Sequence, residues 1–178
     1  MGNDVKIVYS GQIIDLTLEM VELPNGVKLN YEVVNHPGGA AVVALNSAGE
    51  ICMLRQYRHV FKDWIWELPA GKIDNKESPL STATRELFEE TGIQAQNWQT
   101  LGTVISSPGV FSEVVHIFMA TDIVIGTPEH EAGEIIEIHW MELNQAKKMV
   151  LDNIINDSKT AIGIFRATEY LQKIQLPQ

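Results

Sequence analysis

Residues 71–93, GKIDNKESPLSTATRELFEETGI, combine a helix that has clear boundaries with a dense group of charged side chains. Ser78 and Pro79 are typical of an N-cap and a first helical position, and Gly92 is typical of the residue that follows a helix. The stretch therefore predicts a helix over residues 79–91. We expect one side of this helix to face the core, because residues three or four apart share a face: Leu80, Ala83, Thr84 and Leu87.

Charged residues gather on another side of the same helix, at Arg85, Glu86, Glu89 and Glu90. The three carboxylates are neighbours at spacings of three and four, where like charges destabilise an isolated helix by about 0.2–0.5 kcal/mol per pair. A divalent cation would reverse that repulsion, and oxygen ligands suit Mg²⁺ or Mn²⁺ ions that also bind phosphates. The metal interpretation predicts a phosphate anhydride as substrate. The alternative is a solvated acidic face, which is common on surface helices.

A wider pattern of fixed spacings favours the metal interpretation. Gly71, five residues, Glu77, seven residues and then Arg85-Glu86-Leu87-x-Glu89-Glu90-x-Gly92-Ile93 resembles the complete signature of the Nudix hydrolases. A chance match of this kind is expected at about 10⁻⁸ per starting position. The resemblance implies an α/β Nudix fold, which is an α/β/α sandwich with a mixed sheet. It also implies magnesium-dependent hydrolysis of a nucleoside diphosphate that is linked to another group.

The resemblance also implies roles for the charged residues of the signature. Glu86 and Glu90 would be the principal ligands of Mg²⁺, with Mn²⁺ as the alternative cofactor. Glu89 would support them in metal binding and catalysis. Arg85 would orient the carboxylates, so all four side chains are candidate site residues.

Residues ahead of the signature supply further candidates under the same resemblance. Pro69 and Gly71 predict a turn that exposes the Ala70 carbonyl, and related enzymes use that carbonyl as a metal ligand. Arg58 matches an arginine that holds the diphosphate in similar pyrophosphatases, although a surface ion pair is its alternative. Trp64 could stack a nucleobase, but tryptophan more often packs in a core. The same stacking role is open to three nearby aromatic residues, Tyr57, Phe61 and Trp66.

Pro108 lies sixteen residues beyond Gly92, a spacing that resembles the mark of the ADP-ribose pyrophosphatase branch of the family. In that branch the Ser-Pro-Gly loop shapes the substrate pocket, and the glutamate that matches Glu113 lies close to the metals. Pro108 and Glu113 are therefore candidate substrate contacts. Without the resemblance, Pro108 and Gly109 indicate only a turn.

An acidic, glycine-containing loop at residues 127–134 precedes a predicted strand, where mobile active-site segments are commonly found. Related pyrophosphatases draw their general base from this loop. Alignment on the strand favours Glu134 as the base, with Glu131 second. For either residue, an ordinary solvated loop glutamate is the alternative.

Residues 1–36 predict a small unit ahead of the main domain, which spans residues 37–178. A Pro24-Asn25-Gly26 turn lies among apolar, β-branched runs that predict a small antiparallel sheet, at residues 6–10, 13–23 and 28–34. Sheets of this size seldom stand alone. In the ADP-ribose pyrophosphatase branch, such strands pair with a second subunit and help to build its substrate site. The resemblance therefore implies a dimerisation segment and a homodimer.

The main domain predicts alternating strands and helices. Strands are expected at residues 40–46, 51–57, 98–106, 114–120 and 135–140, and the first two should be central. Helices that cover the sheet are expected at residues 143–152 and 160–173.

Composition limits the classes of binding partner and the cellular compartment that we expect. A chain of 178 residues with 45% hydrophobic content is long enough to bury its own core as one domain. The net charge of -10 argues against nucleic acid as a partner, because binding its backbone requires clustered Lys and Arg. Cys52 is the only cysteine, so no internal disulfide is expected. We find no secretory signal and no membrane span, so we expect a cytoplasmic protein.

These patterns and the resemblance together predict a homodimeric Nudix pyrophosphatase. Its substrate would be a small nucleotide sugar, ADP-ribose, and its products AMP and ribose 5-phosphate. One alternative is a hydrolase of another nucleoside diphosphate sugar, because the sequence does not specify the details of the pocket. The other is a binding module that senses ADP-ribose without cleaving it. Loss of a signature carboxylate would favour that module, and none is lost here.

Overall fold

The computed structural model describes residues 4–74 and 76–175, which form ten strands and three helices. The amino-terminal strands are β1 (Asp4–Ser10), β2 (Asp15–Glu22) and β3 (Lys28–Asn35). They are followed by β4 (Gly39–Ala44), β5 (Glu50–Arg58), β6 (Asp63–Glu67) and β7 (Ala70–Lys72). The remaining elements are α1 (Pro79–Thr91), β8 (Ile93–Ile105), β9 (Val114–Ile125), β10 (Ile136–Glu142), α2 (Leu143–Leu151) and α3 (Ser158–Gln175). Within these ranges, no helix has the length and hydropathy that a membrane crossing requires.

The strands are organised in three sheets. The predicted amino-terminal sheet is confirmed, because β1, β2 and β3 pair antiparallel in that order. A second sheet has the order β7-β4-β9-β8 and is mixed, since β4 and β9 run parallel and the other neighbours antiparallel. The third sheet, β10-β5-β6, is antiparallel. The two strands expected to be central, β4 and β5, therefore each lie inside a different sheet.

Strand β4 lies between two layers of helices, which confirms the predicted α/β/α sandwich. Its residues are all buried, and successive side chains point to opposite faces of the sheet. One face packs against α1 in a cluster that contains Ala40, Val42, Ala44, Ala83 and Leu87. The other face packs against α3 in a cluster that contains Ala41, Val43, Ile164 and Ala167. The short side chains of β4 therefore hold α1 and α3 on either side of the sheet.

Helix α1 begins and ends where the sequence predicted. The Ser78 side chain accepts a hydrogen bond from the Ser81 amide at 3.1 Å, and Pro79 occupies the first turn. Gly92 follows the helix with a φ of 72°, in the left-handed region that favours glycine.

The side of α1 that faces the core differs from the prediction. Ala83 is buried as expected, but Leu80 and Thr84 are exposed. Glu86 and Glu90 take inward positions instead, where they are 9% and 3% exposed. A search for an apolar stripe misses this arrangement, because two of the inward positions carry carboxylates. The helix thus turns part of its acidic side toward the sheet.

The amino-terminal sheet is joined to the rest of the chain through β3. The Val34 amide donates to the Val110 carbonyl at 2.8 Å, and the Ser112 amide donates to the Val34 carbonyl at 3.0 Å. These bonds fix the sheet beside the loop that precedes β9. The division of the chain at residue 36 stays a prediction.

Candidate active site

A cavity of about 660 Å³ opens where the ends of several elements meet. Its walls come from β4, β5, β7, α1, the loop at residues 127–134 and the start of α3. Most of the predicted site residues line it: Arg58, Ala70, Arg85, Glu86, Glu89, Glu90, Glu113, Glu131 and Glu134. The fold therefore gathers side chains that lie as far apart in sequence as Arg58 and Glu134.

Arg85 lies at the centre of the acidic cluster on α1. Its Nη1 donates to Glu86 Oε1 at 2.7 Å and to Glu89 Oε2 at 2.9 Å, and its Nη2 donates to the Lys72 carbonyl at 3.2 Å. Its Nε donates to Glu77 Oε1 at 3.2 Å, and bonding to Arg85 lowers the pKa of Glu77. The guanidinium thus holds three signature carboxylates, those of Glu77, Glu86 and Glu89, and ties α1 to β7. This is the contact that an orienting role for Arg85 requires.

Glu86 and Glu90 are carboxylates in largely desolvated positions. Burial raises the pKa of Glu90 well above its ordinary value. A 2.8 Å hydrogen bond from the Ala70 amide opposes this rise, whereas the negative charges of Glu86 and Glu134 increase it. Burial also raises the pKa of Glu86, and Arg85 offsets only part of that effect. When both carboxylates are ionised, the nearby positive groups do not fully offset the cost of burying their negative charges. A divalent cation would supply it.

Gly71 shows how closely the sheet approaches these carboxylates. A Cβ atom at Gly71 would lie 2.0 Å from the carboxylate carbon of Glu86, so any side chain there would displace it. Residue 71 must therefore be glycine for Glu86 to keep its inward position.

The donor set fits a hard cation such as Mg²⁺, because it consists of carboxylate and carbonyl oxygens. Across residues 4–74 and 76–175, no three carboxylate, imidazole or thiol groups converge closely enough to enclose an ion. Instead, Arg85 lies between Glu86 and Glu89. Mg²⁺ commonly keeps several waters and is bound through one or two carboxylates together with substrate phosphates.

The acidic loop, residues 127–134, forms another wall of the cavity. The Glu131 amide donates to Glu134 Oε2 at 2.9 Å, and the Glu134 amide donates to the Glu131 carbonyl at 3.0 Å. These reciprocal bonds close a compact turn that carries both candidate bases. Glu134 lies near enough for its charge to contribute to the raised pKa of Glu86 and of Glu90.

Comparison with known proteins identifies the family. Residues 35–160 match the family model described as the NUDIX domain. The chain belongs to the Nudix family. It is 40% identical over 167 residues to the ADP-ribose pyrophosphatase of Bacillus subtilis (strain 168), a match that covers 93% of this chain and 88% of that protein. It is 37% identical over 169 residues to the methanol dehydrogenase activator of Bacillus methanolicus, with coverage of 93% and 88%.

A solved structure supports the Nudix fold at lower sequence identity. The crystal structure of an ADP compounds hydrolase matches with a TM-score of 0.83 and 23% identity. The match covers 97% of this chain and 94% of that one. The observed sheets, helices and amino-terminal unit therefore follow the Nudix architecture that the sequence implied.

Two charged residues outside the Nudix signature, Glu67 and Lys159, hold Arg58 in the cavity wall. Arg58 donates to Glu67 from Nε at 2.6 Å and from Nη2 at 3.0 Å. Lys159 Nζ donates to Glu67 Oε2 at 2.5 Å and to Asp157 Oδ2 at 3.0 Å. Burial alone would raise the pKa of Glu67, but bonds from Arg58 and the charges of Lys159 and Arg58 outweigh it and lower that pKa to about 2. Sequence reasoning missed this group, because Glu67 and Lys159 are 92 residues apart.

Gln56 is a polar residue of the Nudix cavity wall that sequence reasoning also missed. It is 5% exposed, and its Oε1 is the one buried side-chain oxygen or nitrogen without a hydrogen-bond partner in the described part of the chain. Alternation along β5 puts Gln56 on the same face as Arg58, and both line the cavity. An unpaired buried amide costs about 1–3 kcal/mol. Its position two residues before Arg58 was the available sequence signal.

Trp64 does not line the cavity. It pairs with Tyr57 across β6 and β5, and directly paired residues of antiparallel strands share a face of the sheet. Gln56 and Arg58 alternate to the other face. The Arg55 guanidinium lies 5.5 Å from the Trp64 ring, so Trp64 belongs to an aromatic and cationic cluster on the face away from Gln56.

The two candidates around the Ser-Pro-Gly loop fall in different places. Glu113 lines the cavity, accepts a hydrogen bond from the Ser106 hydroxyl and lies 3.6 Å from His36 Nδ1. Pro108 is not among the residues that line the cavity in the described ranges. The structure therefore brings Glu113, but not Pro108, to the signature carboxylates.

Proposed function

We propose that this chain is a magnesium-dependent Nudix hydrolase that splits the diphosphate of ADP-ribose into AMP and ribose 5-phosphate. The observation that carries the proposal is the cavity, in which buried signature carboxylates, a paired arginine and two loop glutamates face one space. Cavities of this size are typical of small-molecule sites. The 40% identity to the Bacillus subtilis ADP-ribose pyrophosphatase over 93% of this chain supports ADP-ribose as the substrate.

The signature residues would bind the metal and the loop would supply the base. Glu86 and Glu90, with Glu89 and the Ala70 carbonyl, would hold Mg²⁺, or Mn²⁺ in its place. When bound, the cation would polarise phosphoryl oxygens and offset the charge of the diphosphate. Glu134 would take a proton from water as the water oxygen bonds to phosphorus. The anhydride P–O bond would then break, and the bridging oxygen would leave with the other phosphate.

The remaining charges of the cavity would orient the substrate. Arg85 would hold Glu86 and Glu89 in place through its two short bonds. Arg58 uses Nε and Nη2 to bind Glu67, so we assign its Nη1 to the diphosphate. In a chain of net charge -10, such local cations would attract the anionic substrate.

A substrate panel tests the assignment. ADP-ribose is expected to exceed GDP-mannose, UDP-glucose and NADH in kcat/KM by at least about tenfold, or about 1.4 kcal/mol of transition-state preference. The reason is that the polar groups of the site are positioned for one substrate, so some of them lose their hydrogen-bond partners when a different substrate binds. The measurement is release of the nucleoside monophosphate at saturating magnesium, which is AMP from ADP-ribose and NADH, GMP from GDP-mannose and UMP from UDP-glucose. If a hexose nucleotide reacts as fast or faster, the substrate is not ADP-ribose, while the Nudix mechanism stands.

We also propose that the chain forms a homodimer through its amino-terminal sheet. Val5 and Ile7 share one face of β1 and are 50% and 65% exposed, and Tyr9 is also exposed. Large exposed apolar side chains that are neighbours on one surface mark interaction surfaces.

Charged substitutions on this sheet test the dimer. The parent is expected to have twice the chain mass of 19.9 kDa in light scattering. Val5→Asp combined with Ile7→Asp is expected to give a monomer with reduced activity, because association would require burial of the two new charges at the interface, which is unfavourable. Val124→Asp, at an exposed apolar position of β9, serves as the matched control. A fully active monomer of the intact chain would contradict the proposal.

A further inference from the structure

The acidic loop is attached to the carboxyl end of α1. Three hydrogen bonds join the loop and its preceding residue to this end: Gly126 N to Gly92 O at 2.8 Å, Glu129 N to Glu89 O at 2.8 Å, and His130 Nε2 to Glu90 O at 2.7 Å. Because a carbonyl oxygen only accepts, the Nε2 atom of His130 must carry the proton. The imidazole therefore reaches across 40 residues of sequence to the backbone of Glu90.

These bonds satisfy carbonyl groups that the helix itself leaves without partners. The last four carbonyls of an α-helix have no amide ahead of them to accept from. In α1 these are the carbonyls of residues 88–91, and that of Phe88 accepts from the Gly92 amide at 2.7 Å. The carbonyls of Glu89 and Glu90 are taken by the loop. The acidic loop thus pairs two of the four terminal carbonyls of the helix that carries the signature carboxylates.

The approach of the two segments leaves no room for a side chain. A Cβ atom at Gly92 would lie 2.5 Å from the Gly126 carbonyl oxygen. Glycine is therefore needed at position 92 for two reasons. It adopts the left-handed φ at the end of the helix, and it leaves room for Gly126 and the start of the acidic loop to pass over it. The contact places the start of the loop close to α1, and the histidine adds a side-chain bond there.

We infer that His130 is a positioning residue that fixes the acidic loop to α1, so that the turn at residues 131–134 keeps its place beside the signature carboxylates. The inference rests on the proposed function, in which this turn supplies the base. Within the described ranges, His130 is the one side chain of the loop that hydrogen-bonds to α1. The turn begins at the next residue, so the imidazole sets where Glu131 and Glu134 enter the cavity.

Replacement of His130 tests the attachment by two independent measurements. In His130→Ala, amide hydrogen exchange of residues 127–134 is expected to rise about two- to tenfold, the effect of one net hydrogen bond. The kcat for ADP-ribose is expected to fall by a similar factor, with KM and magnesium affinity little changed. His130→Gln can present an amide donor at the position of Nε2 and is expected to restore most of both losses.

The matched control is Glu129→Ala, because Glu129 hydrogen-bonds to α1 through its backbone amide and its side chain is exposed. It should leave both measurements at parental values. Unchanged exchange in His130→Ala, an equal rise in the control, or failure of His130→Gln to restore protection would overturn the attachment. Faster exchange with parental kcat would overturn the positioning role. If the parent does not hydrolyse ADP-ribose, the proposed function fails, and hydrogen exchange still decides whether His130 holds the loop.

Discussion

Glu90→Gln is expected to lower kcat for ADP-ribose by at least about a thousandfold, or about 4 kcal/mol of transition-state stabilisation. The glutamine keeps an oxygen that can accept from the Ala70 amide, so α1 should stay docked. Because burial raises the pKa of Glu90, its charged form at neutral pH opposes folding. Without magnesium, the Tm of the variant is therefore expected to equal or exceed that of the parent. Magnesium should raise the Tm of the parent and have little effect on that of the variant.

Glu86→Gln is expected to behave in the same way, since it removes the other inward carboxylate of α1. Glu169→Gln, at an exposed position of α3, is the control and should change neither kinetics nor Tm. Steady-state rates and melting curves with and without MgCl₂ provide the comparison. Near-parental activity of both signature variants at limiting magnesium would contradict the metal assignment.

Glu134→Gln is expected to slow turnover by about 10²–10⁴-fold with little change in magnesium affinity. The amide cannot take a proton from water. Its oxygen can still accept the hydrogen bond from the Glu131 amide, which is 2.9 Å long in the parent, so the turn should persist.

Glu131→Gln distinguishes the two candidate bases and is expected to have the milder effect. Glu129→Gln, which alters an exposed carboxylate of the same loop, controls for the change in local charge. If Glu131→Gln is the slower variant, then Glu131 is the base. If both are mild, the base lies outside the acidic loop.

Features set by neighbouring residues were predictable from the sequence. Ser78 and Gly92 fixed the limits of α1, because a cap acts on amides or carbonyls within one turn. The amino-terminal sheet followed from a turn between apolar runs. Fixed spacings in the signature identified the charged residues of α1 before any three-dimensional contact was known.

Features set by distant residues were not predictable in this way. Periodicity assigned Leu80 to the core, because it carries no information about the two carboxylates that take inward positions and line the cavity. The contacts of Glu67 with Lys159 and of Glu90 with His130 depend on how separate elements dock. Trp64 was a reasonable aromatic candidate, but alternation does not say which face of a sheet borders the cavity.

The ion pairs around Glu67 constrain how this cavity can change during evolution. Loss of Glu67 would leave Arg58 and the largely buried Lys159 without this carboxylate. Removing one partner of a buried ion pair typically costs about 3–5 kcal/mol, a large share of a domain's stability. Joint replacement of the group by apolar residues is commonly neutral or stabilising. The effect of each substitution therefore depends on the residues already present at the other positions. New substrate preferences on this wall should arise by coupled substitutions and not by single steps.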